Sequence, residues 1–257
     1  MYMTNFLLPW LVLLCERSVH VSLAEVLTNR IVDGTDAAEG EFPYAVSLRH
    51  NSKHICGGTI LSEKYILTAA HCVCSNDGPR DPQNYTIQYD MLKITEEDVN
   101  TVQVSEINCH DFDVEKLTYD SAVLELESPL PEGKWKPVKI AKDFTPSEGQ
   151  KGTIIGWGRI FHMGPISKTL QKIEVEVYDD ETCGKKFNKE HHICLGAPPL
   201  GGACNGDSGT ALIVDGVQVG IASFITNICG TSNKRYPNVY SRVSSYYDWI
   251  HSVAIDL

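Results

Sequence analysis

The run Gly206-Asp207-Ser208-Gly209 sets a hydroxyl between two glycines. Backbone without Cβ atoms can approach a substrate closely and aim its N–H groups at a developing oxyanion. A serine hydroxyl is a weak nucleophile near neutral pH. It needs a base, and that base needs an acid to orient it. Thr68-Ala69-Ala70-His71-Cys72 supplies a candidate base in His71, at the end of the apolar stretch 65–70 and beside a cysteine. Asp120, just before Ser121-Ala122-Val123-Leu124, is the best-placed acid between the other two, at the mouth of a strand. Taken singly these residues are ordinary, since histidines and aspartates sit at strand ends in most β proteins. The argument rests on the three together and on their order.

The elements that must position them read as all-β. Short segments of strand character recur at 44–48, 65–68, 86–89, 122–126, 174–177 and 217–221, with no repeat, low-complexity tract or linker dividing the chain. Asp215-Gly216 between apolar runs predicts a tight hairpin, because both turn positions need positive φ. One helix is expected at the end of the chain, where Tyr246, Trp249, Ile250 and Val253 share a face. Regular short strands over more than 200 residues (~200 is ample for such a fold) point to barrels or sandwiches, and the pattern alone does not choose between them.

Composition narrows the class. The 257 residues carry 33 acidic against 22 basic side chains, a formal charge of −11, which argues against nucleic-acid binding as the main task. Residues 6–15 form an apolar block of secretory length, too short to span a bilayer, and Ser22 and Ala24 stand at −3 and −1 of a cleavage after Ala24. The expected division is therefore a signal peptide over 1–24 and secretion to the extracellular space. Of nine cysteines, Cys15 leaves with that segment, and the remaining even number suits disulfides in an oxidising compartment. Asn84-Tyr85-Thr86 is an N-glycosylation sequon.

The order His71, Asp120, Ser208, with the motifs around each, resembles the chymotrypsin/trypsin family of serine endopeptidases over residues 31–257. An α/β-hydrolase would carry G-x-S-x-G in the order serine, acid, histidine; here the fifth position is Thr210 and the order differs. The resemblance implies two packed six-stranded antiparallel β-barrels with a C-terminal helix and a cleft between the barrels. It also implies an oxyanion hole at Gly206 and Ser208. Asn29-Arg30-Ile31-Val32-Asp33-Gly34 matches the family's activation junction, so 25–30 would be a propeptide. Cleavage after Arg30 would free the Ile31 amine to pair with Asp207. Family bridges would join Cys56 to Cys72, Cys183 to Cys194, and Cys204 to Cys229; Cys74 and Cys109 remain, to bond with each other or with another chain. His191-His192-Ile193-Cys194 has metal-ligand types, but Cys194 is claimed by a bridge and no second ligand cluster exists, so no metal and no cofactor are expected. Expected partners are protein or peptide substrates, an activating protease of tryptic specificity and protein inhibitors, for a monomer without nucleic acid or membrane anchor. Members from arthropod digestion or venom are the most similar in propeptide length and pocket.

The resemblance also places the substrate pocket. Gly202 lies at its base, where an aspartate would bind Arg or Lys, and Ser223, Phe224, Ile225 and Asn238 form its walls. Ile225 and Asn238 replace small residues, which implies a narrow pocket for small to medium apolar side chains; Gly202 alone would also suit large ones. Two departures bear on turnover: Asp33 stands where glycine is usual, and Thr210 follows Gly209 in place of a second glycine, a β-branched side chain behind the nucleophile. The competing reading is a protein of low or no activity that uses the same scaffold for secreted binding or regulation.

Overall fold

A computed structural model describes residues 31–257. The expected signal peptide and the whole propeptide, Arg30 included, lie outside the described residues. Six strands close the N-terminal barrel: β1 (Ala45–His50), β2 (Lys53–Ile60), β3 (Tyr65–Thr68), β4 (Tyr85–Gln88), β5 (Thr101–Cys109) and β6 (Ala122–Leu126), in the ring order β1-β2-β3-β6-β5-β4. Six more form the C-terminal barrel: β7 (Gln150–Gly156), β8 (Gln171–Val177), β9 (His192–Gly196), β10 (Ala211–Val214), β11 (Val217–Ile225) and β12 (Asn238–Arg242). Their order is β8-β7-β10-β11-β12-β9, and pairing of Glu176 with Gly196 and Val177 with Leu195 closes the ring. All neighbouring strands within each ring run antiparallel. Closure leaves no ring strand with an unpaired edge, which removes the usual hazard of an all-β chain.

Local chemistry explains the turns. Asp215 and Gly216 adopt φ of 49° and 76°, the paired positive values a two-residue hairpin requires, and they join β10 to β11. The C-terminal helix α2 (Tyr247–Val253) follows a 3-10 turn over Val243–Tyr246, and Ile250 of the helix and Tyr246 of the turn enter the core. The helix begins one residue after the first of the four apolar positions, because Tyr246 ends the 3-10 turn.

The barrels meet across a shared core. Ile155, Trp157, Ala211 and Ile221 of the second half pack in one cluster with Val46, Leu67 and Leu124 of the first. Polar ties cross the seam as well: Thr59 Oγ1 donates to Gln218 Oε1 at 2.7 Å, and Trp157 Nε1 donates to the carbonyl of Leu92 at 3.1 Å. Four disulfides join Cys56 to Cys72, Cys74 to Cys109, Cys183 to Cys194 and Cys204 to Cys229. The last pair left by the family pattern therefore bonds within the chain. It ties the loop after His71 to the end of β5.

Candidate active site

His71 sits in the one-turn helix α1 (Ala70–Val73), which starts just after β3 ends at Thr68. The Cys56–Cys72 bridge pins that turn to β2. Asp120 lies immediately before Ser121 and β6, and is completely buried. Because β3 and β6 are neighbours, with Thr68 paired to Ala122, the two ends bring His71 and Asp120 together. Asp120 Oδ1 accepts the backbone N–H of His71 at 2.8 Å, and Oδ2 accepts from Nδ1 at 2.8 Å. Ser223 adds a third donor, its hydroxyl bonding to Asp120 Oδ2. These bonds hold the ring with Nδ1 protonated and leave Nε2 facing the cleft. Burial opposes a charged His71, but the hydrogen bond and negative charge of Asp120 outweigh it, and the imidazole pKa stands above the usual 6.5.

Ser208 arrives from the other barrel on a turn governed by backbone conformation. Gly206 and Gly209 have φ of 98° and 80°, where a side chain would be strained, and a Cβ on Gly209 would also run into Thr68 and the carbonyl of Gly57. The Ser208 carbonyl accepts from Gly57 N–H at 2.8 Å, a direct bond from β2 to the Ser208 turn. Another seam contact steadies Gly206: His54 Nε2 lies 3.0 Å from its carbonyl, and Ser47 Oγ lies 2.8 Å from His54 Nδ1. A carbonyl can only accept, so Nε2 donates and Nδ1 accepts the hydrogen bond of the Ser47 hydroxyl. Burial pushes His54 down to about 4, which keeps it neutral at physiological pH.

Asp207 is the second buried acid. Its Oδ1 accepts from Gly158 N–H at 2.7 Å and Oδ2 from Cys204 N–H at 2.9 Å. It presses so closely on Gly156 and Gly158 that a Cβ on either would collide with the carboxylate. With these two backbone donors and no basic side chain paired with it among the described residues, burial pushes its pKa up to about 7. Ile31 is itself fully buried, in the cluster that contains Ala203, and Val32 accepts a hydrogen bond from Gly202 N–H at 3.1 Å.

His71 and Ser208 open onto one cleft of about 260 Å³, also lined by Ser223, Phe224 and Ile225. Gly202 and Asn238 do not line it. Asn238 lies beneath, its Oδ1 accepting from Ala203 N–H at 2.8 Å and standing 2.6 Å from where a Cβ on Gly202 would be. Ala203, Val239 and Tyr240 form walls that sequence reasoning did not name. The signal was adjacency, since Ala203 follows Gly202, and Val239 and Tyr240 are the two residues after Asn238. Ser223, expected only as a pocket wall, also holds Asp120.

The family model described as Trypsin matches residues 31–250. The chain belongs to the trypsin family of serine proteases. It is 35% identical to Chymotrypsin-2 of Vespa crabro over 225 residues, 86% of this chain and 98% of that protein. It is 34% identical to Trypsin Blo t 3 of Blomia tropicalis over 233 residues, 86% of this chain and 84% of that protein. Among solved structures, mouse neuropsin, a serine protease, superposes with a TM-score of 0.76 at 27% identity, covering 86% of this chain and 99% of its own. Human heparin binding protein does so at 0.76 and 25% identity, covering 88% and 98%.

Membership in the trypsin family gives the two departures a physical reading. Asp33 adopts φ of 64°, the left-handed region where glycine is at ease and where aspartate is among the few side chains well tolerated. Thr210 is buried, donates its hydroxyl to the Asp207 carbonyl at 2.6 Å, and turns its methyl onto Gly57 so closely that a Cβ there would overlap it. The protease thus houses its β-branched residue opposite a glycine. Elsewhere, Asn84 is exposed at the end of a 3-10 turn over Pro82–Asn84. His191 stacks on Tyr246, and His192 Nε2 donates to the Leu117 carbonyl at 2.9 Å. Cys56 and Cys72 lie close to His71, but both sulfurs are consumed in their disulfide.

Proposed function

We propose that this serine endopeptidase is secreted as a zymogen, is activated by cleavage after Arg30, and cleaves after small to medium apolar residues through Ser208, His71 and Asp120. The observation that carries the reading is Asp120, which holds both the ring and the backbone of His71 while His71 and Ser208 face one cleft. His71 Nε2 takes the Ser208 proton as Oγ attacks the scissile carbonyl, then gives it to the leaving amine. Asp120 stabilises the imidazolium that forms between these steps. The N–H groups of Gly206 and Ser208 bond to no protein acceptor among the described residues, so they are available to the oxyanion. Water then releases the acyl group from Ser208 by the reverse proton path.

The buried Asp207 supports the activation step. A carboxyl held near pH 7 by desolvation gains most from a cation, and the amine freed at Ile31 would start from a residue already buried in the same barrel. Four intrachain disulfides support an oxidising destination. Activation would require a partner protease that cuts after arginine, and protein inhibitors would compete at the cleft.

Relatives named chymotrypsin and trypsin match at 35% and 34% identity, so specificity must be read from the pocket. Gly202 offers no charge for a basic side chain, Asn238 seals the floor, and Ile225 narrows the wall. A serine-directed phosphonate should label Ser208 in the chain cleaved after Arg30, and His71→Ala should abolish labelling. Peptides with Ala or Leu before the cleaved bond should outrun those with Phe or Arg. Well-folded, cleaved protein that takes no label would instead favour a binding role for the scaffold.

A further inference from the structure

We propose that Arg80 is a specificity-determining residue on the leaving-group side of the cleft, selecting peptides with an aspartate or glutamate within the first two residues after the cleaved bond. This rests on the reading of Ser208 and His71 as nucleophile and base, and deepens it. A second opening, of about 460 Å³, shares His71 and Ser208 with the pocket but runs toward the N-terminal barrel, where Arg80, His50 and Tyr85 line it with the Cys56–Cys72 bridge. If the acyl side of a peptide enters between Ser223 and Ile225, its leaving side faces this second opening.

Arg80 is carried there by a loop whose backbone is tied at several points. Cys74 and Ser75 pair with Pro79 and Gly78 in a small hairpin, and Cys74 is bonded to Cys109. Arg80 N–H donates to the carbonyl of Val73, the last residue of α1, at 2.9 Å. The neighbouring acid is engaged elsewhere: Asp81 Oδ1 accepts from Gln83 N–H at 3.0 Å and caps the following 3-10 turn. Among the described residues no carboxylate pairs with Arg80, and its charge acts on His71, opposing protonation of that ring. An exposed guanidinium with five donors and no partner, beside the reacting groups, fits a carboxylate. A chain of net charge −11 attracts basic peptides in general, so a preference for acidic ones would be a local signature.

The test uses the chain cleaved after Arg30 and peptides identical up to the cleaved bond, carrying Asp, Asn or Lys at the first or second position after it. For an exposed pair, kcat/KM should favour Asp over Lys by about fivefold at low ionic strength, less at high salt. Arg80→Lys should keep the order, Arg80→Gln should level it, and Arg80→Glu should invert it. An Asp to Lys ratio that is unchanged in Arg80→Glu overturns the inference while phosphonate labelling of Ser208 leaves the wider reading intact. If the wild-type chain neither labels nor cleaves, both fall together.

Discussion

The two barrels hold their parts of the site by different means. In the N-terminal barrel the work is done by side chains: Asp120 grips His71 through two hydrogen bonds, and residue types alone nearly specify the pair. In the C-terminal barrel it is done by backbone. Ser208 sits on a turn shaped by positive φ at Gly206 and Gly209, and its carbonyl is tied across the seam to Gly57. The acid beside it, Asp207, is buried on peptide N–H groups alone. One half thus presents a charge pair that is complete as folded; the other presents Ser208, whose surroundings include a carboxyl that still gains from a cation. The proposed activation step therefore acts on the second barrel.

Four changes would break or sharpen this contrast. The largest strikes the side-chain half: Asp120→Asn should lower kcat by about 10⁴, as in the Ser–His–Asp template, because the ring loses its tautomer and its stabilising charge. A steady-state assay on an Ala or Leu peptide measures it, and a drop of less than tenfold would mean that Asp120 is not the orienting acid. Next is the loop after His71. The Cys74–Cys109 bridge closes a span of 35 residues, and replacing both cysteines by serine should cost up to about 4 kcal/mol on the chain-entropy model, read by denaturant melts.

The third acts at the seam through pH. His54 has a folded pKa of about 4 against 6.5 in the unfolded chain, so the unfolded state binds the extra proton first as pH falls. Stability from this group is intact above 6.5 and is lost between 6.5 and 4, on the order of 3 kcal/mol in all. His54→Gln, which keeps a donor for Gly206 and an acceptor for Ser47, should flatten unfolding free energy across that window. The smallest is steric. Gly57→Ala drives a methyl into that of Thr210 and should cost about 1–3 kcal/mol. Adding Thr210→Ser, which removes the methyl and keeps the bond to the Asp207 carbonyl, should restore most of it. Failure of that rescue would show that the seam at Gly57 is set by something other than this contact.

Legibility in the sequence followed the same divide. Tyr65–Thr68 and Ala122–Leu126 were readable to the residue, because β propensity and apolar runs mark strands packed in a core. β9 and β12 were not. His192, Asn238, Ser241 and Arg242 are all buried there, and nothing local announces a buried strand with polar side chains. Their partners are distant: Arg242 Nη1 donates to the Phe144 carbonyl at 2.7 Å, 98 positions away, and Nη2 pairs with Asp180. β2, β5 and β7 were also missed, although each completes a ring, and of β10 only the end at the Asp215-Gly216 hairpin was read.

Residue identity was enough to name His71, Asp120 and Ser208 as candidates and to exclude a charge at Gly202, since each depends on which atoms a position carries; the three family bridges came only with the resemblance. Identity was not enough for the pocket floor, for Gly57 as the space that admits Thr210, or for Arg80 beside His71. Those are relations between atoms far apart in the chain, and they exist only once two closed barrels bring them within a few ångströms of one another.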